Sequence, residues 1–341
     1  MKNLPSPVGM THDEIIDLLS KEEYGYLPDA PDSMSVEVAQ KDETFFPGET
    51  VLYKLKFTVS IGGSEFSFPV NYNLPLSDKP VPCFVFINFR DQVPDKYLPS
   101  EEIADHGYAV MSFCYTDVTS DDGDFTNGLA GLFFRDGTRS DTDCGKIGLW
   151  AWAAMRVMDH ALTLPELDHG RISVVGHSRL GKTALWAGAL DHRFHCAFSN
   201  DSGCGGAAIA RENTGETISV ICRNFPYWFC KNYSKYASNE ASMPFDQHFL
   251  VAANAPHRVY VASASEDAWA CPQNEYQSCI EANGYYENLG ITGFVTDKAV
   301  PEIGDRFHDG YIGYHLRKGH HRLSRHDWQG YIAFLDKCKG E

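Results

Sequence analysis

The chain has 341 residues, of which 43% are hydrophobic and 22% charged, and its formal net charge is −17 at pH 7. This composition is typical of a globular protein, and no stretch approaches the roughly 20 consecutive apolar residues that a membrane-spanning helix needs. The negative charge argues against nucleic acid or an anionic membrane as a partner, because both would repel the protein at long range.

The N-terminus and the cysteines bear on compartment and cofactors. The opening MKNLPSPVGMTHDEIIDLL lacks the apolar core and small-residue cleavage site of a signal peptide, so we expect a cytoplasmic protein, or a secreted one if a leader has been removed. The ten cysteines are scattered singly, with no C-x-x-C pair that would indicate zinc or redox chemistry. We therefore expect mostly buried thiols and no metal or organic cofactor.

The N-terminal part, residues 1–78, is predicted to contain a helix and a hairpin. Residues 11–20 carry apolar positions at helical spacing behind Thr11, a typical N-cap, which predicts a short amphipathic helix. Residues 51–61 and 66–75 alternate apolar and polar side chains on either side of a Gly-Gly pair. This pattern predicts an antiparallel hairpin at the edge of a sheet.

The remainder, residues 79–341, alternates buried strands with helices. Strands buried on both faces are predicted at the nearly continuous apolar runs 82–89, 108–115, 172–176 and 258–264. Helices are predicted at 99–107, 149–162 and 179–190, and an exposed loop at 137–146. The fold class is therefore α/β, with a mostly parallel sheet flanked by helices and an N-terminal antiparallel edge hairpin. We expect a single domain whose catalytic core is residues 79–341.

The segment ISVVGHSRLGKTALW, residues 172–186, nearly matches the G-x-S-x-G pattern of a serine nucleophile elbow. Gly176 and Ser178 are in place, but Leu180 stands where the second glycine belongs and Gly181 follows one residue late. Ser178 lies between a predicted strand and a predicted helix, the context that the elbow requires, where the next backbone N–H faces the oxyanion. The alternative is a serine that only caps the helix.

A serine nucleophile needs a general base, normally a histidine held by an acid, and in this kind of fold the chain order is serine, acid, histidine. Glu266 and Asp267 follow the predicted strand 258–264. Four histidines lie near the C-terminus, namely His315, His320, His321 and His326. Taken singly, each histidine fits a structural role better than a catalytic one, and it is the position after the last predicted strand that favours catalysis.

Four segments together resemble the glucuronoyl esterase family of carbohydrate esterases, which has the α/β-hydrolase fold: GHSRLGKTALW, SNDSGCGGAAIAR, MPFDQHFLVAANAPHRVYVASASEDAW and RKGHHRLSRHDW. The family's elbow is G-C-S-R-x-G-K, so the displaced Gly181 is typical of it. Arg179 and Lys182 are in register, and His177 replaces the family's cysteine. The resemblance runs from about residue 80 to the end, and neighbouring acetylxylan esterases share much of the pattern.

The resemblance implies catalytic residues at matching positions. It places the nucleophile at Ser178 and the histidine at His321, with His320 as a mere neighbour. The family's acid occurs at two alternative places, and this chain has Asp201 at the first, where the family has glutamate, and Asp267 at the second. We favour Asp267, because the shorter Asp201 side chain is less able to reach the histidine. Glu266 remains a weaker candidate.

The resemblance also implies residues that contact the oxyanion and the sugar. Arg179 corresponds to an oxyanion-stabilising arginine, and Lys182 to a lysine that binds sugar hydroxyls. Trp269 corresponds to a tryptophan that contacts the uronic sugar, although a core tryptophan fits its sequence context equally well. Residues 88–90 follow the first core strand and are candidates for a second backbone donor to the oxyanion.

The sequence thus predicts a serine esterase that cleaves a sugar-linked ester through an acyl-enzyme, with a 4-O-methyl-glucuronoyl ester as the leading substrate. A deacetylase of xylan or xylo-oligosaccharides could use the same triad. A non-catalytic carbohydrate-binding relative is a further alternative, because Asp201 and His177 depart from the family. A metal-dependent deacetylase ranks last, since no H-x-x-x-H or H-x-E-x-x-H spacing is present. The expected partner is a small-molecule or oligosaccharide ester, and the oligomeric state stays open.

Overall fold

The computed structural model describes residues 4–338. Within this range the strands are β1 Ser33–Phe46, β2 Thr50–Ile61, β3 Ser64–Pro75, β4 Val81–Asn88, β5 Ala109–Cys114, β6 Leu167–His177, β7 Cys196–Asn200, β8 Arg258–Ala264, β9 Arg306–Phe307 and β10 Ile312–Arg317. The α-helices are α1 His12–Leu19, α2 Ser100–Asp105, α3 Tyr115–Val118, α4 Gly128–Phe133, α5 Lys146–Ala161, α6 Arg179–Leu190, α7 Ile218–Asn224, α8 His248–Ala252, α9 Pro272–Asn288 and α10 Arg325–Lys337.

All ten of these strands belong to one sheet, in the order β1-β2-β3-β5-β4-β6-β7-β8-β10-β9. Six consecutive strands of this order, β5-β4-β6-β7-β8-β10, pair in parallel. At one end of the sheet, β1, β2 and β3 form an antiparallel ribbon that joins β5, and at the other end β9 pairs antiparallel with β10. Solved structures described below share this architecture. The predicted α/β-hydrolase fold is therefore confirmed.

Strand β4 shows why the central strands have continuous apolar sequences. Its side chains alternate between two buried clusters, one on each face of the sheet. Val85 and Ile87 face the cluster that includes α5 and α6. Phe84 and Phe86 point the other way and pack edge-on against Trp328 of α10, with ring centroids 5.3 and 5.4 Å apart. Helices thus cover both faces, which explains why almost all of the β4 side chains are apolar.

The N-terminal prediction is correct for the helix and the hairpin but wrong about the sheet edge. Thr11 caps α1 in a reciprocal capping box with Glu14, and β2 and β3 form the hairpin, with Ile61 opposite Ser64. However, β1 pairs with the outer side of β2 and is itself the edge strand. Most of its side chains are exposed, so it lacks the apolar stripe that would have identified a strand.

The loop predicted to be exposed at 137–146 is exposed only in part, because Arg139 and residues 144–146 are buried. Arg139 is only 8% exposed and donates to the carbonyl oxygens of Cys144 and Phe229, at 2.9 and 3.2 Å. Lys146 is fully buried at the start of α5 and donates to the backbone carbonyl of Asp124 at 2.6 Å. These cations satisfy buried carbonyl groups, which explains why a polar sequence occurs in the interior.

The cysteines agree with the prediction, since all ten are free and eight of them are buried. Across residues 4–338, none of the helices combines the length and the apolar character that crossing a lipid bilayer requires.

Candidate active site

The backbone at Ser178 has the strained geometry of a nucleophile elbow. Ser178 joins the end of β6 to the start of α6 with φ 58° and ψ −126°, a region that non-glycine residues rarely adopt. Its N–H donates to the carbonyl of Asn200 at 2.8 Å, and its own carbonyl accepts from the N–H of Gly181 at 2.9 Å. Its side chain makes no capping bond to α6. The helix-cap alternative is therefore wrong.

Close packing around the elbow explains the displaced glycine. A Cβ on Gly176 would lie 1.9 Å from the carbonyl oxygen of Leu180, because the first turn of α6 folds back over β6. A Cβ on Gly181 would lie 3.1 Å from both Ser199 Oγ and Ser202 Cβ at the end of β7. At position 180 the side chain instead points into the core, where it is fully buried. Small size is thus required at 181 and not at 180.

The carboxyl ends of β6, β8 and β10, which lie at the same edge of the sheet, bring a serine, an acid and a histidine together. The Ser178 hydroxyl lies 2.8 Å from His321 Nε2 and can donate to it, while His321 Nδ1–H donates to Asp267 Oδ2 at 2.5 Å. The N–H of Ala270 donates to the other Asp267 oxygen at 3.3 Å. Burial alone would raise the pKa of Asp267, but the hydrogen bond and charge of His321 hold it below the usual value. Asp267 is thus kept as the anion that orients the imidazole.

Asp201, the alternative acid, is bonded elsewhere. It is 1% exposed, and one carboxylate oxygen accepts from the N–H of Ala264 at 2.7 Å while the other accepts from Arg317 at 3.4 Å. Burial and the charges of three neighbouring carboxylates raise the pKa of Asp201 well above its usual value, although the nearby Arg317 opposes the rise. The structure therefore places Asp267, and not Asp201, on the histidine.

Single ligand atoms of Asp201, Asp267 and His321 lie within 4.8 Å of one another, a spacing that could hold a metal ion. Both oxygens of each carboxylate and both ring nitrogens already take part in hydrogen bonds within the described part of the chain. The arrangement therefore has the bonding of a proton-transfer triad.

The other acid and histidine candidates lie outside this network. His320 is 81% exposed at its side chain and pairs with Glu266 at 3.0 Å on the surface. His315 is buried on β10 and contacts Asp327 at 2.8 Å. His326 is exposed and has Arg306 as its hydrogen-bond partner. His321 is the histidine that reaches Ser178.

Arg317, which the sequence did not single out, holds the loop that carries His321. It is 4% exposed, and its Nε donates to both oxygens of Asp327 at 2.9 Å. One terminal nitrogen donates to the carbonyl of His320 at 3.1 Å and also to the carbonyl of Arg322. The backbone on both sides of His321 is thus fixed by one buried cation.

His177 packs directly against the catalytic imidazole, where the family has a cysteine. Its ring centroid lies 4.6 Å from that of His321, and its Nδ1–H donates to Asn200 Oδ1 at 2.7 Å. Burial, together with the charge of His321, lowers the pKa of His177 to about 3. It therefore remains neutral at physiological pH and adds no charge beside the triad.

Ser178 and His321 open into a cleft of about 230 Å³. Among the residues that line it, Ser178, Arg179 and His321 are here called the catalytic wall. Lys182, Glu216 and Trp269, which also line it, are here called the polar wall. The sequence predicted each of these residues except Glu216.

The polar wall combines two buried charges with an exposed aromatic ring. Lys182 is 3% exposed, burial lowers its pKa, and its ammonium donates to the carbonyl of Ser202. Glu216 is 5% exposed, and burial raises its pKa, while the charge of Lys182 and a hydrogen bond from Trp269 oppose that rise. Trp269 is 53% exposed, so it is not a core residue. The wall thus offers donors, an acceptor and a flat apolar face.

Arg179 projects from the first position of α6 into the catalytic wall. Its guanidinium pairs with Asp121 and lies over the ring of Trp228, 4.7 Å from the centroid. Its Nε is buried without a hydrogen-bond partner among the described residues. The predicted second backbone donor is not found at Phe89, because its N–H already donates to Asn88 Oδ1 at 2.8 Å.

Comparisons with known proteins identify the family to which the chain is similar. The family described as "Glucuronyl esterase, fungi" matches residues 57–290. Carbohydrate esterase MZ0003, from an unknown prokaryotic organism, is 41% identical over 232 residues, which cover 67% of this chain and 53% of that protein. The 4-O-methyl-glucuronoyl methylesterase of Podospora anserina is 30% identical over 81% of this chain and 55% of its own length. The chain thus spans about half the length of these curated relatives.

A solved structure, the glucuronoyl esterase from Solibacter usitatus, superposes with a TM-score of 0.91 at 29% identity and covers 98% of both chains. The likeness therefore extends over the whole fold, including the N-terminal ribbon of β1 to β3.

Proposed function

The chain belongs to the glucuronoyl esterase family of carbohydrate esterases, and from this premise we propose that it hydrolyses an ester of glucuronic acid through an acyl-enzyme on Ser178. The observation that carries the proposal is the continuous hydrogen-bonded chain from Ser178 through His321 to Asp267, which opens into a cleft with a polar wall. This geometry also argues against a non-catalytic relative with an incomplete triad.

In the first half of the reaction, His321 Nε2 takes the hydroxyl proton of Ser178 while Oγ attacks the ester carbonyl carbon. The carbonyl oxygen becomes an oxyanion, stabilised by the Arg179 side chain and by the N–H groups at the start of α6. The C–O bond to the alcohol then breaks, and the alcohol leaves with the proton held by His321. Asp267 stabilises the imidazolium that forms between these two transfers.

In the second half, water replaces the alcohol. His321 takes a proton from the water, whose oxygen attacks the acyl carbon, and the same donors stabilise the second oxyanion. When the C–O bond to Ser178 breaks, its Oγ recovers the proton from His321. The products are the free uronic acid and the resting enzyme.

The polar wall favours a substrate in which the sugar is the acyl part. In a uronic ester the sugar ring is attached directly to the carbonyl carbon, so its hydroxyl groups lie close to the nucleophile and face the adjoining wall. Lys182 can donate to these hydroxyls and Glu216 can accept from them. An acetyl group would bring only a methyl group to the same place. We therefore favour a 4-O-methyl-glucuronoyl ester over an acetylated xylo-oligosaccharide.

The test is steady-state hydrolysis of a methyl ester of 4-O-methylglucuronic acid, compared with an acetylated xylo-oligosaccharide. We expect higher kcat/KM for the glucuronate ester, and we expect Ser178→Ala to lose about three orders of magnitude or more in kcat. Ser234→Ala is the matched control, because Ser234 is exposed and bonds only locally to the Lys231 carbonyl. Substantial activity in Ser178→Ala would contradict the mechanism, and a preference for the acetylated substrate would contradict the substrate.

A further inference from the structure

Asp121 receives three side-chain donors at the rim of the active site. Arg179 donates to Oδ2, which also accepts from the hydroxyl of Tyr115 at 3.0 Å. The indole N–H of Trp228 donates to Oδ1 at 2.7 Å. Both carboxylate oxygens thus accept hydrogen bonds that fix the orientation of the carboxylate, and one of the donors is Arg179 of the catalytic wall.

The segment that carries Asp121 is itself fixed. The buried ammonium of Lys146 donates to Thr119 Oγ1 at 2.8 Å and to the carbonyl of Asp124 at 2.6 Å. The hydroxyl of Tyr227 donates to the Asp121 carbonyl at 3.0 Å. Asp121 therefore presents its carboxylate from a backbone anchored on both sides.

The aromatic rings around Arg179 fix only part of its orientation. Its guanidinium lies 4.7 Å from the ring centre of Trp228 and 5.6 Å from those of Phe89 and Phe225. Attraction to a ring face holds the cation in place, but it allows the planar guanidinium to rotate about the axis perpendicular to its plane. The hydrogen bond to Asp121 is directional, so it selects which guanidinium nitrogen points toward Asp121.

We propose that Asp121 is a positioning residue that sets the orientation of the Arg179 guanidinium and thereby presents its remaining donors to the oxyanion. The inference rests on the proposed function, because it assigns to Asp121 an effect exerted only through the oxyanion step. Asp121 itself is not among the residues that line the cleft. An oxyanion donor that is displaced or free to rotate loses much of its effect, since its value depends on being aligned before the reaction begins.

The experiment is a double-mutant cycle with an aryl acetate and a methyl glucuronate ester as substrates. In the native background, Asp121→Ala is expected to lower kcat by about ten- to hundredfold on both esters with KM changed by less than about threefold. Asp121→Asn, which retains one acceptor oxygen, should lose less. In an Arg179→Ala background, Asp121→Ala should lower kcat by less than about threefold, because the group it orients is gone.

The controls separate this role from a general structural one. Asp122→Asn changes the neighbouring exposed acid, which bonds only within its own loop, and should leave kcat unchanged. Thermal unfolding of each variant reports whether the fold is intact. Equal losses from Asp121→Ala in both backgrounds, no loss in the native background, or full activity of Arg179→Ala would each overturn the proposal. A native protein without activity on either ester would instead overturn the proposed function.

Discussion

The two walls of the cleft are held in different ways. On the catalytic wall, Ser178 and His321 bond directly to each other, and their positions follow from the ends of β6 and β10. On the polar wall, burial lowers the pKa of Lys182 and raises that of Glu216, while the charge of each residue opposes the shift of the other. Trp269 is largely exposed. Under the proposed function, the catalytic wall acts on the bond that all esters share, and the polar wall recognises groups that only some esters carry. Losses at the polar wall should therefore depend on the substrate.

The largest effect is expected at the base of the triad. His321→Ala should lower kcat on every ester by about three orders of magnitude or more, because without a base the Ser178 hydroxyl is a poor nucleophile. His320→Ala is the matched neighbour, and its exposed pair with Glu266 should make it nearly neutral. Initial-rate measurements with an aryl acetate and a glucuronate ester test this. A severe loss from the His320 variant alone would show that the assignment of the two histidines is reversed.

The next comparison separates the two aspartates. Asp267→Asn should lower kcat by about 10³- to 10⁴-fold, because an amide cannot stabilise the imidazolium or fix its tautomer. Asp201→Asn should cost less than about tenfold, since its oxygens bond to the Ala264 N–H and to Arg317 and not to His321. kcat measured near neutral pH for both variants decides between them. A larger loss of kcat in Asp201→Asn than in Asp267→Asn would show that Asp201, and not Asp267, is the acid of the triad.

Lys182 tests whether the polar wall is selective. Lys182→Ala should weaken glucuronate ester hydrolysis about tenfold or more, because a charged hydrogen bond typically contributes about 1.5–3 kcal/mol. An aryl acetate has no sugar hydroxyls, so its turnover should change by less than about threefold. The quantity to measure is the ratio of the two kcat/KM values. Equal losses on both substrates would mean that Lys182 supports the elbow and does not recognise sugar.

The smallest effect concerns Glu275, a buried acid whose charge interacts with that of Lys182 in the polar wall. Glu275 accepts from Ser263 Oγ at 2.6 Å and from the Gly203 N–H at 2.9 Å, and burial raises its pKa from 4.5 to about 7. Folding therefore favours its protonated form, and the wild type should lose stability as pH rises from 4.5 through about 7. Glu275→Gln resembles the protonated form at every pH. Its Tm relative to wild type should rise across that range, and a constant Tm difference would contradict the shift.

Ser178 was predictable from a local signature, whereas Asp267 and His321 were chosen among neighbouring acids and histidines by chain order and by the family resemblance. Ser178 lies at a strand–helix junction of recognisable sequence, and Asp267 and His321 follow it in the order typical of the fold. Their catalytic roles remain predictions that the variants above test. The family resemblance and the fold, by contrast, are confirmed by the comparisons.

The supporting residues were not predictable, because nothing local marks them. Glu216 lies in the segment TGETIS, and Asp121 is one of several acids in SDDGD. Each gains its role only when the fold brings it to Lys182 or Arg179. The buried positions of Arg139 and Lys146 were missed for a related reason, since a polar sequence gives no sign of the buried carbonyl groups that it satisfies.

The edge strand β1 has a consequence for how the protein behaves at high concentration. An unpaired strand edge can template pairing with a second chain and so lead to aggregation. Here the ladder between β1 and β2 is interrupted twice, between Val38 and Gln40 and between Asp42 and Phe46, and charged side chains such as Lys41 lie along it. At the opposite end of the sheet β9 has only two residues. Both margins are therefore poor templates, which protects a ten-stranded sheet from edge-to-edge assembly into fibrils.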